Sequence, residues 1–158
     1  MIKLPPKEKI PEAYTAIVDN RIILSEDNAI VKSSDGGKEY LIKWKDNLYY
    51  SNDNSTYWQG YPGYPVIAIL MLQHKLSYNE DIALYFKNIN WNKLNKDNKR
   101  DYHKSVEDIL VNVDDKKKIY EEIDKVYKEI EMLNIELTKK KIWYGIINWI
   151  IIRINSRW

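Results

Sequence analysis

The chain has no cysteine. Disulfides and thiolate metal sites are therefore excluded, and the composition fits a cytoplasmic protein. Histidine is nearly absent too. His74 and His103 are the only two, far apart and without H-x3-H or H-E-x-x-H spacing. Each reads as an ordinary surface or core histidine, not as a ligand or base. No apolar run reaches the ~18 residues needed to span a bilayer. The start, MIKLPPKEK, lacks the apolar core of a signal peptide. The chain has no Walker motif, no GxSxG and no GxGxxG, so sequence spacing supports no reaction and implies no cofactor. It also shows no internal repeat.

What is present describes a globular protein. Of 158 residues, 44% are hydrophobic and 30% are charged, enough to bury a sizeable core without staples. The net charge of +2 is unevenly placed. Lys139, Lys140, Lys141, Arg153 and Arg157 lie in the last twenty residues, which hold no acid. Without those five, 20 basic residues face 23 acidic ones, so the body is slightly acidic. Charge alone indicates no nucleic-acid groove along the whole body.

Residues 7–18 carry Ile10, Ala13, Tyr14, Ile17 and Val18 at helical spacing. Pro11 suits a first turn. The rival reading is a strand over 14–18. Four segments rich in strand formers follow, at 21–24, 29–33, 39–44 and 48–51. Turn clusters separate them, which predicts an antiparallel meander. Tyr40, Ile42 and Trp44 alternate with Leu41 and Lys43, so one face should be aromatic and buried. The run VIAILML, 66–72, is a buried strand or a helix buried all round. Pro65 and the Ala, Leu and Met content favour the helix. Ser77 to Glu80 matches a capping box for a helix with Ile82, Tyr85, Phe86 and Ile89 facing inward. An Asn- and Lys-rich linker is expected over 92–98. Tyr102, Val106, Ile109, Leu110 and Val113 mark another helix. Ile119, Ile123, Val126, Tyr127, Ile130, Leu133 and Leu137 mark a long one, opened by Asp114 and Asp115. Glu121, Glu122, Glu129 and Glu131, interleaved with lysines, read as its solvated face. The expected fold is one α+β domain over 1–138, followed by a basic, Ile/Trp-rich segment over 139–158.

The stretch from Ala29 to Leu72 resembles the SWIM zinc-binding module. That family has a β-hairpin, Cys-x-Cys, a spacer, then Cys-x-His opening a helix. Here VKSSDGGKEYLIKW supplies the hairpin. Tyr50 and Asn52 stand at the first ligand pair, and Gly63 and Pro65 at the second. None of these four is a zinc ligand. The resemblance therefore implies a metal-free interaction module, with Tyr49, Tyr50, Tyr57, Trp58, Tyr61 and Tyr64 packing where a metal would sit. The family's association with DNA or protein implies partners of those classes.

The aromatic loop is the main candidate site. Asn52, Asp53, Asn54, Tyr57, Trp58, Gln59, Tyr61 and Tyr64 gather donors, acceptors and ring faces beside a predicted helix N-terminus. They form either a contact surface, a small-molecule or enzymatic pocket, or a cap on the core with Asn and Asp making turns. A second candidate is helix-turn-helix-like, beginning at Glu80, with Lys93, Lys96, Lys99, Arg100 and Lys104 supplying positive charge for nucleic acid. Its plain alternative is a helical hairpin with a solvated lysine face. The tail, KKKIWYGIINWIIIRINSRW, fits a peripheral membrane anchor. It equally fits a segment packing on its own domain or self-associating with a partner subunit together with the long helix.

Overall fold

Four short strands form where alternation and turn chemistry place them. The computed structural model describes residues 2–142. After helix α1 (Lys9–Val18) come β1 (Ile22–Leu24), β2 (Asn28–Lys32), β3 (Glu39–Lys45) and β4 (Leu48–Ser51), an antiparallel meander. The β2–β3 turn is fixed by Asp35, whose carboxylate accepts from the Gly37 N–H, the Ser33 hydroxyl and Asn92. Those donors hold its pKa down to about 2. Register places Ala29, Val31, Ile42 and Tyr49 on one face, all buried against α1 and the helix α2 (Tyr64–Leu72). Tyr40 and Trp44 flank Ile42 on that face, as the alternation requires. Seven consecutive residues of α2, Pro65 to Met71, are buried, so VIAILML is a helix surrounded by protein.

Four further helices follow α2 among the described residues: α3 (Glu80–Ala83), running into a 3-10 turn to Phe86, then α4 (Trp91–Asp97), α5 (Tyr102–Leu110) and α6 (Lys116–Glu131). With the sheet they make an α+β fold. Several expectations need correction. The helix expected to carry Ile89 ends in the 3-10 turn at Phe86, and Tyr85 is exposed. The N-cap of α3 is Asn79, which accepts from the Ile82 N–H. Ser77 instead donates its N–H and hydroxyl to Glu129, at 2.7 and 2.6 Å. Glu129 is thus tied to the segment leading into α3 and is not part of a purely solvated face. The 92–98 linker is helix α4, because Asn90 caps it and Trp91 anchors it at 3% exposure. The long helix stops at Glu131, and Leu137 lies in a fifth strand, β5 (Glu136–Thr138), parallel to β4. The sheet order is β1-β2-β3-β4-β5.

One buried hydroxyl joins three of these elements. Thr15 Oγ1 donates to the Phe86 carbonyl at 2.5 Å and accepts from Trp91 Nε1 at 2.8 Å. Thr15→Val keeps the shape but leaves a carbonyl and an indole N–H unpaired. It should cost about 2 kcal/mol in urea unfolding, while Thr15→Ser should cost less.

Candidate functional site

The loop between β4 and α2 is built around one carboxylate. Asp53 is 4% exposed. It accepts from the Ser51 hydroxyl at 2.5 Å and from the Thr56 N–H at 3.0 Å. Its own carbonyl accepts from the Tyr57 N–H. Thr56 then passes the connection on, its Oγ1 accepting from the Gly63 N–H at 2.9 Å. The end of β4 and the start of α2 are therefore cross-linked by hydrogen bonds. Between them the chain makes a single π-helical turn, Ser55–Gln59, and leaves it through Gly60, whose φ of 75° suits glycine.

This wiring sorts the candidate residues. Asp53 points inward. Tyr64 does as well: burial pushes its phenol pKa up, against the lowering influence of Arg21, and its ring meets Tyr40 edge-on. Tyr57 and Tyr61 are half-buried, while Asn52, Asn54, Trp58 and Gln59 are exposed. Trp58 is 70% exposed and stands edge-on to Tyr57. Asn52, Asn54 and Trp58 meet in a shallow groove of about 420 Å³, completed by Lys38, Glu39 and Tyr40. Gln59 is on another side, its carbonyl accepting from Lys3, and it does not converge with Asn52 and Asp53. Among the described residues the loop thus forms an exposed aromatic ridge beside an open groove.

Sequence reasoning missed the groove's second wall. Tyr40 arrives from β3, and only the strand register brings it beside the loop: Asn52 Oδ1 accepts from the Leu41 N–H. It also missed two cations. Lys139 Nζ sits 5.6 Å from the Tyr57 ring and 5.5 Å from Trp58, and Lys3 Nζ sits 5.5 Å from Tyr61.

The second candidate set is exposed throughout. Lys93 and Lys96 are on α4, Lys99 and Arg100 in the turn after it, and Lys104 on α5. Lys99 and Arg100 both have positive φ, at 53° and 65°. The helices around the turn do not have helix-turn-helix proportions. α3 is a single turn and α4 has seven residues. His74 is exposed, and His103 pairs with Glu107 at 2.9 Å. The apolar stripe of α6 (Ile119, Ile123, Val126, Ile130) is buried in the chain's own core, so it is not free for self-association. The tail that would share in that role, or anchor to a membrane, lies beyond Ile142 and outside the described residues. Among the described residues no helix is long and apolar enough to cross a membrane.

A family model described as "Uncharacterised conserved protein UCP014422" matches residues 2–136. The chain belongs to that family. The match takes in the whole meander, the aromatic loop and every described helix, so the Trp58 groove is part of the family's own domain. No curated protein and no solved structure matches the chain.

Proposed function

We propose that this chain is a non-catalytic binding module that takes a protein partner on the Trp58 ridge and the groove beside it. The observation that carries the reading is Trp58 itself. A tryptophan held 70% exposed on a loop this heavily hydrogen-bonded is a rigid apolar anchor offered to solvent. The groove supplies one cation, one anion and two amides, a mixed rim that suits a peptide backbone and its side chains. The cross-linked junction of β4 and α2 is compatible with a metal-free SWIM-like module, in which Asp53 and its donors do the joining. A cytoplasmic location belongs to the same proposal.

Selection of a random displayed-peptide library on the wild-type protein tests it. Peptides should emerge that lose about 30-fold in affinity on Trp58→Ala, a hot-spot loss of about 2 kcal/mol, with unfolding unchanged. Peptides that bind the variant equally well would remove the ridge as the contact surface.

One observation favours a second reading. Lys93, Lys96, Lys99, Arg100 and Lys104 make no ion pair among the described residues, and each is exposed. Nucleic acid bound there would show affinity falling steeply with salt through counterion release. Flat or absent binding to single- and double-stranded DNA across a salt series would eliminate it.

A further inference from the structure

Two rings of the loop already hold a cation. Tyr57 and Trp58 stand edge to face, with ring centroids 4.9 Å apart and planes at 73°. The ammonium of Lys139 lies over both, 5.6 Å from the first and 5.5 Å from the second. Ring faces that meet at so wide an angle make a corner. A positive charge in that corner meets two electron-rich faces at once.

Lys139 differs from the other lysines that lie over rings. Lys7 is also bonded to Asp124, and Lys9 is paired with Glu12. Lys75 donates to the Tyr49 hydroxyl, and Lys3 donates to the Gln59 carbonyl. The Lys139 ammonium makes no ion pair among the described residues, and its residue is exposed. The two rings are what hold it. Such a contact is weak in water and strengthens when it is desolvated. The loop itself offers an incoming cation no repulsion. Residues 52–64 include no lysine or arginine, and their one acid, Asp53, is buried.

We propose that the corner of Tyr57 and Trp58 takes a lysine or arginine side chain of the protein partner, and that Lys139 holds its place in the free chain. This rests on the Trp58 ridge being the contact surface. A partner that closes over Trp58 removes water from the rings, so its cation gains more there than the exposed Lys139 does. Lys139 is then a weak internal competitor. It directly follows Thr138, which pairs with Tyr50 of β4, so the strand keeps it beside the corner.

The test selects displayed random peptides on the full wild-type chain from two libraries, one complete and one without lysine and arginine codons. Binders that lose affinity on Trp58→Ala should come from the complete library. Replacing the basic residue of such a binder with glutamine should weaken it about tenfold. Lys139→Met should strengthen the same binder about threefold, with urea unfolding unchanged. Lys140→Met removes the same charge one residue further on and should change the affinity far less. Trp58-dependent binders that arise equally well without basic residues would overturn this inference and leave the ridge standing. An affinity that Lys139→Met fails to raise, or that Lys140→Met raises as much, would overturn the role of Lys139. Binders indifferent to Trp58, or none at all, would remove the ridge and the cation site together.

Discussion

Gly63→Ala should be among the most damaging single substitutions in this protein, at about 3–5 kcal/mol. Gly63 has φ of −73°, so backbone strain is not the reason. The reason is space. A methyl group there would run into Asp53 Oδ1, lie 2.9 Å from its Cγ and come within 3.1 Å of Ser55 Cβ. Asp53 cannot step aside cheaply, because its two oxygens are held by Ser51 and Thr56. Moving it exchanges one overlap for two lost bonds to a buried carboxylate. The check is a double-mutant cycle by urea unfolding. Asp53→Ala alone should cost about 2–3 kcal/mol through its lost bonds. Gly63→Ala in the Asp53→Ala background should then cost well under 1 kcal/mol, because the methyl group enters the space the carboxylate left. Additive costs would mean that the two residues do not share this space.

The same residues show where sequence was readable and where it was not. The meander was legible because strands of period two were separated by turn clusters such as Ser34-Asp35-Gly36-Gly37, and local chemistry decided both. Helix α2 was legible through its composition. Helix α4 was not, since Trp91 and Leu94 are its only large apolar residues and its existence depends on a cap and on one buried indole. The end of α6 was misread because Leu133 and Leu137 continue the helical spacing. Pairing with β4, a partner more than eighty residues away, is what pulls Leu137 into a strand. At the candidate site the residue types were visible but their directions were not. Asp53 and Trp58 stand in one loop, and nothing in their order says that the acid is 4% exposed and the indole 70%. Hydrogen-bond wiring settles that, and wiring is a property of the folded loop.

The second large effect concerns a charge that sequence pattern concealed on the buried side of α1. Glu12 is 5% exposed, and the Lys9 ammonium lies 3.6 Å from it, one turn back. Asn95 of α4 donates to the same carboxylate at 3.4 Å. Burial pushes the Glu12 pKa up, with Lys9 and Asn95 countering part of the effect. Burial works against the Lys9 ammonium too, yet the negative charge of Glu12 and the neighbouring Tyr102 outweigh it and hold Lys9 above its usual value. Removing one partner strands the other, so Glu12→Ala should cost about 3 kcal/mol. Lys9→Met should cost about as much. The double variant Lys9→Met, Glu12→Leu should cost less than either single change, because a buried ion pair and an apolar pair of similar volume are nearly equal in stability. Costs that simply add would refute the pairing. The pH dependence has a definite sign. A carboxyl whose folded pKa is raised binds its proton more tightly in the native state than in the unfolded chain. Its contribution is fully present below the unfolded value, 4.5, and is lost as pH rises through the higher folded value. Tyr40 and Tyr64 also face Glu12, but as neutral phenols they do not change charge in that window. Glu12→Gln removes this titration. Wild-type stability should therefore fall relative to Glu12→Gln as pH is raised through that window, read from paired urea curves at each pH. A gap that is constant, or that moves the other way, would mean that folding does not raise the proton affinity of Glu12.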